Sequence, residues 1–261
     1  EQLRNIDIQF STESTFGNMA VVYPNRNGVL SLDGTNEAML ELSEYDFGGE
    51  MTVSFWSKGT GNNGINTHFM EGIDTLNNRI FNIHFPWSNN NLYFDAGAGS
   101  GYDRINKVMT AAEIDNEWHH WAFIKNQATG SMKVMKDGIL WHSGTGFSRP
   151  IGEIHRFILG ASKALNTNWK GKVDEFQVFN AALSEATVAA WFNKRADAAH
   201  PNWSNLVSYY TFDDQEYAED MSLNDYLLMP SYYGMFDFSE YPVAGVEITD
   251  RPIIEFGTGG I

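Results

Sequence analysis

The residues whose spacing could do chemistry stand just before an aromatic run. Glu113, Asp115 and Glu117 occupy alternate positions in the segment AEIDNEWHHWAFIK, residues 112–125. Alternate residues of a β-strand share one face, so three carboxylates would stand in a row there. Such a row could supply the acid and the nucleophile of a retaining glycoside hydrolase. The open alternative is an acidic loop that leads into a structural strand.

Other catalytic or metal-binding patterns find little support. The tandem pair His119 and His120 would point to opposite faces of a strand, and no H-E-x-x-H spacing occurs. No G-x-S-x-G nucleophile elbow is present, and the glycine-rich stretch GAGSGYD opens no helix that could hold a phosphate.

Composition narrows the function classes. The chain has 261 residues and a formal net charge of −16, which argues against nucleic-acid binding because phosphate backbones would be repelled. No run of about 18 apolar residues occurs, so we expect no membrane insertion. Cysteine is absent, which excludes disulfides and cysteine-based zinc sites. An acidic, cysteine-free chain is typical of bacterial extracellular or cell-surface domains.

Most of the chain is predicted to form short strands. Segments rich in β-branched and aromatic residues alternate with Gly, Asn and Asp clusters, the pattern of a sandwich or barrel. Asp137-Gly138 is a two-residue hairpin signal, since both positions of that turn need positive φ. It is predicted to join the strands SMKVMK and ILWHSG.

One helix is predicted after the last of these strands. Ser184 can cap its N-terminus, and Val188 and Trp191 lie on one face that we expect to pack on the core. The helix is predicted to end near Ala199, because Pro201 follows.

The composition changes after residue 200. Residues 1–200 are predicted to form one domain, whereas residues 201–261 are acidic and rich in tyrosine. That C-terminal segment either wraps the first domain or opens a second module.

Four motifs resemble a known family, the laminin-G-like jelly-roll domains of the concanavalin A-like lectin/glucanase superfamily. They are GVLSLDGTNEAML, MTVSFWSK, EWHHWAFIKNQATGSMKVMKDGILWHSG and ILGASKALNTNWKGKVDEFQVFNAALSEATVAAWF, in this order along residues 28–192. The resemblance implies an all-β, two-sheet antiparallel jelly-roll sandwich with one short helix after the last strand.

The resemblance bears on the acidic row, because the superfamily includes glucanases with an E-x-D-x-E strand. Here Trp118, His120 and Ala122 take the family's W-x-H-x-A positions, which places residues 113–117 in the preceding loop. Asn116 stands where a glucanase strand would carry an apolar residue. We therefore interpret the row as an acidic loop.

The resemblance also implies a structural calcium ion. In related jelly rolls an acidic residue of the closing strand supports calcium together with the opening strand and its turn. The matching positions are Asp174, Asp33 and the carbonyl of Gly34. Calcium takes six to eight oxygen ligands, which an acidic chain can supply. The alternative is that both aspartates make only turn and backbone hydrogen bonds.

Glycan-binding candidates lie in one aromatic segment, HFPWSNNNLYFDAGAGSGYDRINK. Sugar rings stack on Trp and Tyr faces, while Asp, Asn and Arg hydrogen-bond to hydroxyls. Trp87, Tyr102, Asp103 and Arg104 are the predicted ligand-binding residues.

These observations predict a non-catalytic recognition module of an exported or cell-surface protein. It would bind a polysaccharide or glycoprotein, with calcium supporting its loops. One alternative is a protein-interaction or structural module that contacts neighbouring domains of a large adhesin. A second alternative is a glycoside hydrolase or polysaccharide lyase that uses Glu113, Asp115 and Glu117.

Overall fold

A computed structural model describes most of the chain, namely residues 7–8, 20–22, 28–99, 101–213, 220–226, 228–230, 236–237 and 254–255. The chain divides into two compact units. One comprises residues 1–26 and 248–261, and the other comprises residues 27–247.

The smaller unit contains a three-stranded antiparallel sheet. Its strands are β1 (Asp7–Ile8), β2 (Ala20–Val22) and β18 (Ile254–Glu255), and β2 lies in the centre.

The larger unit is built from two antiparallel sheets. Sheet I contains β3 (Val29–Asp33), β5 (Glu50–Gly59), β10 (His119–Asn126), β11 (Ser131–Lys136), β12 (Ile139–Thr145), β14 (Lys170–Phe179), β15 (Leu206–Tyr210) and β17 (Phe236–Asp237). Its order is β12-β11-β10-β5-β14-β3-β17, and β15 also pairs with β14.

Sheet II contains β4 (Ala38–Asp46), β6 (Met70–Ile73), β7 (Arg79–His84), β8 (Asn91–Ala96), β9 (Asp103–Val108), β13 (Glu153–Leu159) and β16 (Leu228–Pro230), in the order β16-β4-β13-β6-β7-β8-β9. Three strands that follow Pro201, namely β15, β16 and β17, pair with the earlier strands β14, β4 and β3.

The core lies between the two sheets and is rich in aromatic rings. Phe55 of β5 stacks on Phe69 with ring centroids 4.1 Å apart, and Phe123 and Phe176 flank it at 5.8 and 6.4 Å. Residues of alternate positions on each strand fill this layer, as one face of each sheet must be apolar. The predicted two-sheet antiparallel sandwich is confirmed.

The predicted hairpin is also confirmed. Asp137 and Gly138 have φ values of 50° and 76°, which is the left-handed geometry that a type I′ turn requires, and they join β11 to β12.

The helices are short. Helix α1 spans Ala111–Ile114, helix α2 spans Glu185–Trp191, and a 3₁₀ turn covers Trp203–Asn205. Ser184 caps α2 as predicted, accepting a hydrogen bond from the Thr187 amide at 3.0 Å. The predicted end near Ala199 is wrong, because the chain leaves the helix at Phe192, whose carbonyl accepts from the Trp56 indole. No helix in the described part of the chain is both long and apolar enough to cross a membrane.

Strand β14 changes its neighbour midway. Its first half pairs with β3 as far as Val173, and its second half pairs with β15 from Phe176 onward. Asp174 and Glu175 lie at this junction, where Glu175 has a φ of 49°. Both are buried, and Glu175 accepts hydrogen bonds from the Arg195 guanidinium and the Tyr209 hydroxyl. Glu175 therefore joins β14 to β15.

Replacing Phe55 by Ala tests the aromatic centre of the core. Phe55 is fully buried, so the variant should lose about 3–5 kcal/mol in the free energy of unfolding, measured with urea. Ile139→Ala is the control, because Ile139 is 72% exposed and its loss should stay within about 0.5 kcal/mol. Equal losses in both variants would contradict this packing.

The Glu175 junction predicts a pH dependence. Burial raises the pKa of Glu175 from 4.5 to about 7, although Arg195 opposes the shift. The unfolded carboxyl ionises first as pH rises, so the stabilisation is complete below pH 4.5 and is lost on approaching pH 7. The unfolding free energy of Glu175→Gln should decline by about 2–3 kcal/mol less than that of the wild type over this range. A variant whose decline matched the wild type would contradict the assignment.

Candidate functional site

A row of polar residues crosses the outer face of sheet II. Glu71 on β6 is paired with Asn82 on β7, Asn82 with Asp95 on β8, and Asp95 with Arg104 on β9. Because paired residues of neighbouring strands point to the same side of a sheet, the four side chains stand in line. We call this surface, the outward residues of β6 to β9, the polar face.

Strand alternation explains why the polar face exists. Phe81, Ile83, Phe94 and Ile105 are the sequence neighbours of the polar residues, and all four are buried in the core between the sheets. Their inward direction turns the residues between them outward.

Two arginines neutralise the carboxylates of the row. Arg79 Nε donates to Glu71 Oε1 at 2.6 Å, while Arg104 Nε and Nη2 donate to the two Asp95 oxygens at 2.5 and 2.7 Å. The Glu71 and Asp95 side chains are 0% and 1% exposed, whereas those of Arg79 and Arg104 are 29% and 35% exposed. The carboxylates therefore lie beneath a layer of guanidinium groups.

Asn82 lies between the two ion pairs and is incompletely hydrogen-bonded. Its Nδ2 donates to Asp95 Oδ2 at 3.3 Å, whereas its buried Oδ1 has no hydrogen-bond partner among the described residues. The amide orientation is set by Asp95, because the reverse orientation would turn Oδ1 toward a carboxylate.

Aromatic rings and two histidines continue the polar face at one end. The His84 ring lies 4.2 Å from those of Trp87 and His68, and 6.0 Å from that of Tyr93. Both histidines are buried, and Arg79 donates toward His68 Nε2 at 3.2 Å. Trp87 is half-buried, so part of its ring remains open to a ligand.

Arg104 is held between two tyrosines. Its guanidinium carbon lies 4.8 Å from the Tyr93 ring centre and 4.7 Å from that of Tyr102. The hydrogen bonds that Arg104 donates to Asp95 raise the pKa of Arg104 above its ordinary value, so the group stays charged. Ion pairing and cation–π contact together fix the orientation of the guanidinium.

Three of the four predicted glycan-binding residues are brought together on this face. Trp87, Tyr102 and Arg104 belong to the ring and guanidinium contacts just described. Asp103 lies on the other side of β9, where it accepts from Lys125 Nζ at 2.5 Å and from the Arg149 amide at 2.9 Å. Asp103 thus links strands β9 and β10 instead of facing the row.

The predicted calcium ligands are kept apart. Asp33 pairs with Lys170, four residues before Asp174 on β14, which separates the two aspartates by about 13 Å along the strand. Asp33 Oδ1 already accepts from the Thr35 amide and hydroxyl, both at 2.7 Å, next to Gly34 at φ 89°. These residues do not fit one calcium ion.

Asp174 lies beside other carboxyl groups at the junction of β14 and β15. Burial raises its pKa well above the ordinary value, and the neighbouring carboxyls of Glu175 and Asp213 add to the shift. Across the described residues, no group of three or more His, Asp or Glu side chains is placed to hold a metal ion.

The acidic row near residue 115 is not a strand. Glu113 lies in helix α1, Asp115 is buried and accepts from the Asn62 and Asn63 amides at 3.0 and 3.2 Å, and Glu117 is 64% exposed. Burial raises the pKa of Glu113, but hydrogen bonds from Thr110 and Trp141 outweigh this effect and bring the pKa below its usual value. The expected loop is partly a helical turn, and its carboxylates point to separate partners.

Sequence reasoning missed Glu71, Arg79, Asn82, Tyr93, Asp95 and the two histidines. A signal was present in three strands, where alternate residues are polar or aromatic, namely Asn82 and His84, then Asn91, Tyr93 and Asp95, and then Arg104 and Asn106. That alternation marks one face of adjacent strands for polar contacts.

A protein-family model matches more than half of the chain. Residues 32–189 match a laminin G family model described as the concanavalin A-like lectin/glucanases superfamily. A search of curated proteins returned no match.

Solved structures share the fold at low sequence identity. A protein from Bacteroides ovatus ATCC 8483 that has been proposed to bind carbohydrate is 16% identical with a TM-score of 0.59, and the match covers 84% of this chain and 62% of that protein. The heptameric SAP-like pentraxin of Limulus polyphemus is 14% identical with a TM-score of 0.51, over 81% and 99% of the two chains.

The ligand-binding domain of botulinum neurotoxin serotype D, solved with N-acetylneuraminic acid, is 16% identical with a TM-score of 0.50. The match covers 72% of this chain and 45% of that one. The chain thus spans less than two thirds of the Bacteroides and neurotoxin chains.

The buried histidines of the polar face predict acid sensitivity. Burial lowers the pKa of His84 from 6.5 to about 4 and that of His68 to about 3. The unfolded ring takes up a proton first, so the stabilisation is present above pH 6.5 and declines as pH falls toward 4.

His84→Asn keeps a donor for the Thr67 carbonyl without a titrating ring. Between pH 7 and 4.5, the unfolding free energy of the wild type should fall by about 2.5 kcal/mol more than that of the variant. Parallel pH profiles would show that His84 is not held neutral.

Proposed function

Because the chain belongs to the laminin G family of the concanavalin A-like lectin/glucanase superfamily, we propose that it is a carbohydrate-binding module of an extracellular protein. The polar face of sheet II contacts the glycan, and the module itself is non-catalytic.

The two arginines held above the buried row of Glu71, Asn82 and Asp95 carry this proposal. They place fixed hydrogen-bond donors on the same face as the rings of Trp87, Tyr93 and Tyr102, a combination suited to sugars, which have apolar ring faces and polar edges. The four strands span about 14 Å, which is room for an extended ligand.

Two of the similar structures support a sugar ligand. The Bacteroides protein has been proposed to bind carbohydrate, and the neurotoxin domain was solved with N-acetylneuraminic acid. Similar folds host unrelated functions, so the contacts on the polar face remain the main support.

Catalysis and calcium are not part of the proposal. The hydrolase alternative needed Glu113, Asp115 and Glu117 in one row, and these residues lie on a helix, in a buried turn and on the surface. Calcium at Asp33, Gly34 and Asp174 is left out because the two aspartates lie too far apart to share an ion.

Binding to a broad polysaccharide and glycan array, followed by titration calorimetry of each hit, tests the function. Trp87→Ala should weaken binding about tenfold or more, because the half-buried ring is a stacking surface beside His84. A chelator should leave the affinity unchanged.

Trp191→Ala is the matched control. Trp191 is also a half-buried indole that packs on a histidine, His200, at 4.8 Å, but it belongs to helix α2, which packs on sheet I. Equal loss in the two variants would contradict a site on sheet II. If the wild type bound no glycan on the array, the protein-interaction alternative would be favoured.

A further inference from the structure

The charges of the polar face are arranged in two layers. The carboxylates of Glu71 and Asp95 are almost completely covered, so a ligand above the face cannot reach them. About a third of each covering arginine side chain stays accessible. A guanidinium has five N–H donors and no acceptor, so the accessible part of each ion pair presents donors.

A third arginine on the same sheet shows the contrast. Arg156 on β13 lies 3.5 Å from Glu41, and the two side chains are 34% and 30% exposed. There a ligand would meet both charges at the same level. At Arg79 and Arg104 it would meet the cation first, with the anion behind it, so the nearer positive charge dominates the interaction.

The two guanidiniums are also held in place before any ligand arrives. Asp95 and the rings of Tyr93 and Tyr102 fix Arg104, and Glu71 and His68 fix Arg79. Nε and Nη2 of Arg104 are engaged by Asp95 and Tyr102, and those of Arg79 by Glu71 and His68, so a ligand carboxylate would accept hydrogen bonds from the Nη1 groups. Because these groups are already fixed, little side-chain entropy is lost on binding.

The distance between the two arginine sites further restricts the kind of ligand that fits. Their carboxylate partners lie two strands apart in one row, on β6 and β8, a separation of about 10 Å. A single carboxylate cannot contact both arginines, whereas one chain with acidic groups on repeated sugars can.

Resting on the proposed glycan-binding function, we propose that the ligand is an acidic polysaccharide whose sugar carboxylates bind Arg79 and Arg104. A carboxylate has only acceptors, which suit the donors of the two guanidiniums. A sugar hydroxyl both donates and accepts, so it pairs with these donors less completely. The chain's net charge of −16 opposes anionic polymers at long range, so the preference arises from these short contacts.

Titration calorimetry with polygalacturonate and its fully methyl-esterified form tests the proposal, because the two polymers share a backbone and differ in the carboxylates. The wild type should bind the acid form at least tenfold more tightly. The double variant Asp95→Asn with Arg104→Gln removes both charges of one pair, so no unpaired charge is buried, and it should reduce the preference to threefold or less. Circular dichroism and urea unfolding establish that it folds.

Arg156→Gln is the matched control and should keep the full preference. Dextran sulfate and dextran form a second pair, in which tight binding of the sulfated polymer would assign the site to oxyanions in general and overturn the carboxylate assignment. Equal binding of the acid and ester forms, a preference that survives in the double variant, or no binding to either polymer would also overturn it.

The outcomes separate this proposal from the general one. Binding of neutral glycans that is lost in Trp87→Ala, together with equal binding of the acid and ester polymers, would remove the acidic ligand and leave the carbohydrate-binding function standing. Absence of binding to every glycan on the array would remove both.

Discussion

The polar face depends on a single constraint, the burial of two carboxylates on the outside of a β-sheet. The side chains of Glu71 and Asp95 are almost fully covered, although they lie on the outward side of sheet II. A buried carboxylate is tolerated only when it is paired and hydrogen-bonded, which fixes Arg79 and Arg104 above the row. Arg104 in turn organises Tyr93 and Tyr102. The positions of the exposed groups thus follow from the buried ones.

The two sheets use their outer faces differently. Sheet I is covered by the chain around helix α2, where Ala122, Ile124 and Phe179 form a second apolar cluster with Leu183 and Val188. That cluster covers part of the face and contributes to stability. Sheet II instead exposes its arginines and aromatic rings between β6 and β9. The surface proposed to contact the glycan therefore lies on sheet II.

Local patterns made the fold predictable, and long-range pairing hid most of the site. The hairpin at Asp137-Gly138 and the Ser184 cap depend on a few adjacent residues, so they could be read directly. The row from Glu71 to Arg104 joins four strands, and its register depends on loops and bulges that no short motif encodes. The error at Asp103 has the same origin, because adjacent strand residues face opposite ways and the exposed side was unknown.

Stability alone does not account for the row. Replacing a buried ion pair by apolar residues of similar volume is often neutral or stabilising, so the pairs Glu71–Arg79 and Asp95–Arg104 offer no clear advantage in stability over apolar residues. Departures from the most stable arrangement are expected where they position groups for a ligand. The arrangement therefore agrees with the recognition role proposed for the polar face.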